Sequence, residues 1–107
     1  MRNCKQEFLK EVKDRVVLCA DVCKGDDNWY AKDRRAAELP VGYSAEDYAH
    51  FLALLDYEYD DGYGGQEVFG TIWYTDGTWS ERGEYDGAEW WVYRKVPPIP
   101  TSLTNKE

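Results

Sequence analysis

The chain has 107 residues, of which 43% are hydrophobic and 16% aromatic, and its formal net charge is −8. This length predicts one domain with a modest core, and the aromatic content excludes an intrinsically disordered chain. The negative charge argues against direct binding to nucleic acid or to an anionic membrane surface, because both repel it.

Two helices are predicted in the first half of the chain. The first runs from Cys4 to Asp14, with Asn3 as its N-cap, and the second begins after the N-cap Ser44 and ends near Tyr57. In both, apolar residues recur at the three- and four-residue spacing of an amphipathic helix. Between the helices, the alternation from Val16 to Cys23 predicts a β-strand.

The next stretch and the last third supply further strands. A short strand is predicted around Trp29 to Lys32, followed by an irregular polar segment that ends at Pro40. In the last third, two Asp-Gly pairs predict two-residue type I′ hairpin turns, because Asp and Gly tolerate a positive φ. These turns, Asp76-Gly77 and Asp86-Gly87, place strands at Val68 to Thr75, Thr78 to Tyr85 and Ala88 to Val96, and Pro97, Pro98 and Pro100 end the sheet.

The predicted fold is therefore α+β. It has an antiparallel sheet of about four strands, three of them a C-terminal meander, with two helices packed on one face. Residues 1–100 are expected to form this single domain, and residues 101–107 a flexible C-terminal tail.

The two turns also predict which side chains share a sheet face. Tyr74 is expected opposite Trp79 across the first turn, and Gly83 opposite Trp90 across the second. The face assigned to the core holds Ile72, Tyr74, Trp79, Tyr85, Ala88, Trp90 and Val92. The face assigned to the outside holds Thr71, Trp73, Thr75, Thr78, Ser80, Arg82, Glu84, Glu89, Trp91 and Tyr93.

Acidic charge is concentrated in the same part of the chain. From Asp56 to Glu89 there are ten acidic residues and one basic residue, Arg82, which is placed to stack on Trp91 or Trp73. Tryptophan, tyrosine and arginine are enriched at binding hot spots, although cross-strand pairing of the rings would account for them equally well. The candidate partner-binding residues are Asp56, Glu58, Asp60, Asp61, Glu67, Trp73, Arg82, Glu84, Glu89, Trp91 and Tyr93.

The sequence does not predict a metal site, a cofactor or an enzyme. An EF-hand loop starting at Asp56 would have acidic ligands at three further positions, but Asp61 stands where that loop requires glycine. His50 is the only histidine and lies among core-directed helix residues, which favours a structural role. No nucleophile-elbow or phosphate-loop motif is present.

The cellular location is predicted from what the chain lacks. It has no apolar run of about 18 residues and no apolar signal-peptide core. The odd, sparse set of Cys4, Cys19 and Cys23 does not suit a secreted disulfide framework. We expect a cytoplasmic protein that is not bound to a membrane.

The segment YDDGYGGQEVFGTIWYTDGTWSERGEYDGAEWW, about a third of the chain, is acidic and rich in tryptophan and carries no catalytic motif. In this general style the chain resembles small accessory proteins of tailed phages, including anti-restriction and anti-CRISPR inhibitors. The resemblance implies a phage or mobile-element origin and a location in the host cytoplasm, and it carries no functional residue over to this chain.

The leading hypothesis is a protein that inhibits a host nucleic-acid-handling protein by occupying its basic surface. Its carboxylates would imitate backbone phosphates, and its aromatic rings would supply the desolvated anchors. Two alternatives are open. The chain could be a small-ligand module that stacks a sugar or nucleobase on Trp73, Trp91 and Tyr93, or a structural protein that forms a homodimer through the aromatic face.

Overall fold

The computed structural model describes residues 2–25, 35–60 and 65–104. The elements, in chain order, are β1 (Arg2–Asn3), α1 (Cys4–Glu11), β2 (Val17–Lys24), β3 (Arg35–Leu39), α2 (Ala45–Leu54), β4 (Glu58–Tyr59), β5 (Val68–Tyr74), β6 (Trp79–Tyr85), β7 (Ala88–Arg94) and α3 (Thr101–Thr104). None of the helices in these ranges is long and apolar enough to cross a membrane.

The fold is α+β with an antiparallel sheet, as predicted. In the described residues the main sheet has five strands in the order β3-β2-β5-β6-β7, and β1 and β4 form a separate two-stranded ribbon. The additional strand is β3, which pairs with β2 and falls within the segment predicted to be irregular. The strand predicted around Trp29 to Lys32 lies outside the described residues.

Both helices begin at their predicted N-caps. The Asn3 side chain accepts a hydrogen bond from the Gln6 backbone N–H, at 3.0 Å. Ser44 and Asp47 form a reciprocal capping box at the start of α2. Both helices end a few residues earlier than predicted, at Glu11 and Leu54. Helix ends are set by which carbonyl groups find partners, and this is only weakly encoded by side-chain periodicity.

The first Asp-Gly turn does not have the predicted geometry. Trp73, rather than Tyr74, lies opposite Trp79. The innermost pair is therefore Tyr74 and Thr78, whose N–H and carbonyl groups are hydrogen-bonded at 2.9 Å, and three residues separate this pair instead of two. Gly77 has a φ of +87°, whereas Asp76 does not have a positive φ, so the turn is not type I′. This is the geometry of a three-residue hairpin loop with glycine in the left-handed region.

The second Asp-Gly turn has the predicted geometry. Asp86 and Gly87 have φ values of +52° and +87°, as a type I′ turn requires, and Gly83 lies opposite Trp90 as predicted. Because the first turn contains one residue more than predicted, every side chain of β6 and β7 lies on the face opposite to the one predicted for it. The predicted assignment of faces is therefore wrong for β6 and β7.

One face of the sheet, which we call the inner face, carries the core. Val22 of β2 and Ile72 of β5 are fully buried there, in one cluster with the buried residues of both helices. The rings of Phe8 in α1 and Phe51 in α2 meet edge to face within this cluster, with centroids 5.2 Å apart. At the other end of the chain, α3 occupies the first four residues of the segment predicted to be a flexible tail.

Candidate interaction surface

Three of the predicted surface residues are buried on the inner face. The side chains of Arg82 and Glu89 are 2% and 0% exposed, and an Arg82 nitrogen lies 2.6 Å from a Glu89 carboxylate oxygen. The Trp91 side chain is also buried, with the Arg82 guanidinium 5.1 Å from its ring centroid. The predicted stacking of Arg82 on Trp91 is confirmed, but it takes place inside the protein. Placing these residues on the outside was wrong because of the extra residue in the first turn.

Glu89 joins several parts of the chain. Its two carboxylate oxygens accept hydrogen bonds from the backbone N–H groups of Glu67 and Val68, at 2.8 and 2.9 Å. Its partner Arg82 donates to the Tyr59 hydroxyl at 3.2 Å. The buried ion pair therefore fixes both β4 and the start of β5 against β7, which is a structural role.

Tyr59 extends this polar network toward α1. Its hydroxyl donates a hydrogen bond to the Glu7 carboxylate, which also forms an ion pair with Arg2. Burial raises the pKa of Tyr59 above its ordinary value, and the hydrogen bond to Glu7 raises it further. The phenol therefore remains protonated and available as a donor.

A second polar cluster lies nearer the end of α1. The Ser80 hydroxyl is buried and lies 2.6 Å from a Glu11 carboxylate oxygen and 2.7 Å from the Tyr74 hydroxyl. Arg15 is paired with Glu11, and its guanidinium lies 3.8 Å from the centroid of the Tyr93 ring. Tyr93 is thus a half-exposed inner-face residue covered on one side by a cation.

The predicted acidic loop is only partly free to meet a partner. Asp56, Glu58 and Asp60 are exposed, and Asp61 lies outside the described residues. Glu67 is half-buried, and its carboxylate accepts a hydrogen bond from the Asp60 backbone N–H at 3.0 Å. In residues 2–25, 35–60 and 65–104, no group of histidine, cysteine or acidic side chains is arranged to hold a metal ion.

The predicted site residues do not form one surface. The loop acids flank β4, whose Tyr59 contacts Arg82 on the inner face. Trp73 points the opposite way, on the outer face of the sheet, where it is 42% exposed. Glu84 is exposed near the β6–β7 turn, and its carboxylate accepts a hydrogen bond from the Gly87 N–H.

The outer face carries side chains in three rows that follow the strand pairing. The first row contains Cys19, Trp73, Trp79 and Arg94. The second row contains Glu38, Asp21, Thr71, Glu81 and Val92. The third row contains Ala36, Cys23 and Phe69, with Trp90 opposite Gly83 on the far strands. Two aromatic rows therefore flank one row that carries three carboxylates.

Several of these side chains are open to solvent. Trp90 is 40% exposed, similar to Trp73, although the sequence prediction assigned it to the core. Glu81 is paired with Arg94, whereas Asp21 and Glu38 are exposed and have no ion pair within the described part of the chain. The sequence signal that could have identified this face is the turn type at Gly77, because it decides which tryptophans point outward.

Comparisons with protein-family models, with curated proteins and with solved structures find no match for this chain. Its function therefore has to be inferred from the surfaces themselves.

Proposed function

We propose that this chain is an acidic interaction protein that docks the outer face of its sheet on a basic surface of a partner protein. The observation that carries the proposal is the exposed outer face, where rows containing Trp73 and Trp90 flank the carboxylates of Asp21 and Glu38. Exposed aromatic patches with charged neighbours are typical of protein interaction sites.

The two kinds of side chain have different roles in such binding. Aromatic rings become desolvated anchors that slow dissociation, and carboxylates attract the partner and speed association. The net charge of −8 extends this attraction over the whole molecule. The exposed acids Asp56, Glu58, Asp60 and Glu84 contribute to long-range steering even though they lie away from the tryptophans.

We further propose that the partner is a host protein that handles nucleic acid. Basic surfaces that bind phosphate backbones are common on such proteins, and carboxylates can take the place of phosphates there. The resemblance to phage accessory proteins favours the same reading, in which the chain inhibits a host defence protein by nucleic-acid mimicry.

The ligand-binding alternative is not supported in the form predicted. Its stacking platform required Trp73, Trp91 and Tyr93 on one face, but Trp73 lies on the outer face and the other two on the inner face. Three rings on opposite sides of a sheet cannot stack on one sugar or nucleobase.

Affinity capture followed by binding measurements on the captured partner tests the proposal. Affinity should fall by at least about tenfold between roughly 0.05 M and 0.5 M salt, because screening weakens charge attraction. Asp21→Lys should slow association, whereas Glu46→Lys, an equal charge change at an exposed site on α2, should have a smaller effect.

The aromatic contribution needs its own matched pair of variants. Trp73→Ser should speed dissociation, and Leu54→Ser provides the control, because Leu54 is an exposed α2 residue with a similar exposed fraction of 45%. A partner whose binding is insensitive to salt, to Asp21→Lys and to Trp73→Ser would contradict the proposal.

A further inference from the structure

The main chain of β7 has unpaired hydrogen-bonding groups along the edge of the sheet. β7 is the last strand in the sheet order and pairs only with β6 among the described strands. In a type I′ hairpin the residues that flank the turn exchange hydrogen bonds, and hydrogen-bonded and non-hydrogen-bonded pairs then alternate along the strands. Tyr85 and Ala88 flank this turn, so the main-chain groups of Glu89, Trp91 and Tyr93 point away from β6.

One contact independently supports this alternation. The Arg2 guanidinium donates a hydrogen bond to the Glu89 carbonyl oxygen at 2.9 Å, which requires that carbonyl to face outward from the sheet. Within the described ranges, the outward main-chain groups of Trp91 and Tyr93 have no backbone hydrogen-bond partner outside the sheet. Such unpaired groups are a template for one more strand.

A groove runs beside this edge. It has a volume of about 980 Å³ and is lined on one side by Gln6 and Lys10 of α1 and by Lys13 just after it, and on the other side by Trp90, Trp91 and Tyr93. This volume is at the upper end of the range that binds small ligands. The groove is thus large enough for a short extended segment beside β7.

The Trp91 side chain also faces this groove. It lines the groove although it is only 9% exposed, so a segment seated beside β7 would cover the remaining exposed part of its ring.

We propose that the groove between α1 and β7 binds an extended, uncharged segment of another protein, which adds to the sheet as a strand beside Trp91 and Tyr93. The main-chain groups require an extended backbone. The charges favour a neutral occupant, because Arg2 is paired with Glu7 and the exposed Lys10 and Lys13 are balanced by Asp14 and Asp76 at the groove.

A second copy of this chain fits the same edge less well. In an antiparallel pair of two β7 strands centred on Trp91, Glu89 of one copy would lie opposite Tyr93 of the other. The Glu89 carbonyl already accepts a hydrogen bond from Arg2. Each end of such a pair would have to give up that hydrogen bond, whereas a segment that pairs only beside Trp91 and Tyr93 would not.

The test uses a capped peptide of seven residues in which threonine and valine alternate, titrated into the full chain and followed by NMR. The backbone amide signals of Trp91 and Tyr93 and the Trp91 indole signal should shift saturably, and exchange of the two amide protons should slow. A peptide of the same sequence with alternate backbone nitrogens methylated cannot donate the strand hydrogen bonds and should not bind.

A pair of substitutions isolates the main-chain contribution. Tyr93→Pro removes a backbone N–H that does not pair with β6, so the edge strand should tolerate the substitution. Peptide affinity should fall about tenfold, as expected for the loss of one hydrogen bond. Tyr93→Ala removes the ring but keeps the N–H, and binding should change by less than about threefold. If Tyr93→Pro perturbs the fold, the proposal is tested instead by whether the peptide slows exchange of the Trp91 and Tyr93 amide protons in the unmodified chain.

Three results would overturn the proposal. The first is that no signal shifts saturably up to about 5 mM peptide, a concentration at which even weak specific binding is visible. The second is that only signals from the outer face shift. The third is that the chain is a dimer in which the amides of Trp91 and Tyr93 are already protected without peptide. All three are independent of the outer-face proposal, which predicts a salt-sensitive partner on the opposite side of the sheet.

Discussion

An Arg82 nitrogen lies 2.6 Å from a Glu89 carboxylate oxygen in a place where solvent reaches almost none of either side chain. The pair lies diagonally across neighbouring strands of the meander, two residues out of direct register, since Arg82 is opposite Trp91 and Glu89 is opposite Glu84. Loss of this pair therefore tests whether the side chains of β6 and β7 lie on the faces observed here.

Removing Glu89 should destabilise the protein strongly. Glu89→Ala would leave Arg82 buried without its partner charge and two backbone N–H groups without an acceptor, so we expect a loss of about 3–5 kcal/mol in the free energy of unfolding. Urea titration measures it. Glu38→Ala is the control, because Glu38 is exposed, and it should change stability by less than about 0.5 kcal/mol. Similar losses in the two variants would contradict the buried pair.

The register of the first hairpin can be tested by a disulfide. Thr71 lies directly opposite Glu81, so Thr71→Cys with Glu81→Cys should form a disulfide on oxidation when the three native cysteines have been replaced by alanine. Mass measurement with and without reductant detects it. The register predicted from the sequence would put Ile72 opposite Glu81 instead, and a disulfide from that pair but not from the first would show the observed register to be incorrect.

Stability should fall at alkaline pH. Burial raises the pKa values of Tyr57, Tyr59 and Tyr74 above their ordinary range. The unfolded chain therefore releases phenolic protons first, so the stabilisation is fully present below about pH 10 and is lost as pH rises further. Burial also raises the pKa of the Cys4 thiol, so the free energy of unfolding measured from about pH 8 to 12 should begin to decline above about pH 8.5, where an unfolded thiol titrates, and decline more steeply above about pH 10. Tyr59→Phe should make that decline shallower.

Tyr57 and Tyr59 should respond differently to loss of the hydroxyl. The Tyr57 hydroxyl is buried, and the polar group that it meets is the Cys4 thiol, a weak hydrogen-bonding group, so Tyr57→Phe should change stability by less than about 1 kcal/mol. Tyr59→Phe removes a donor to Glu7 and an acceptor for Arg82, and should cost about 1–3 kcal/mol. Thermal unfolding of both variants provides the comparison. Equal losses in the two variants would contradict this difference between the two hydroxyl groups.

Local signals in the sequence predicted local structure well. Asn3 and Ser44 act as N-caps because their side-chain oxygens accept from first-turn N–H groups that have no acceptor within the helix. Asp86-Gly87 forms the predicted type I′ turn. Asp76-Gly77 has the same two letters but a different geometry, because glycine in the left-handed region suits both loop lengths, and packing of the flanking strands selects between them.

The candidate site was less predictable for the same reason. A one-residue difference in a turn moves every later side chain to the opposite face, so Trp90 was assigned to the core and Trp91 to the surface when the reverse is true. The same predicted register places Glu89 on the outside, and the position of Arg82 is what makes its burial possible. Strand β3 was missed because its five residues carry little hydrophobic alternation.

The distribution of tryptophans gives the protein an intrinsic optical reporter. Among the tryptophans of the described residues, Trp73, Trp79 and Trp90 lie on the outer face, and Trp91 is buried beside the guanidinium of Arg82. With Trp29, which lies outside the described residues, replaced by phenylalanine, a soluble quencher such as acrylamide should reach the first set and largely spare Trp91. Shielding of the quenchable emission would then report a partner on the outer face, and a change in the unquenched emission would report a segment in the groove, without any label attached.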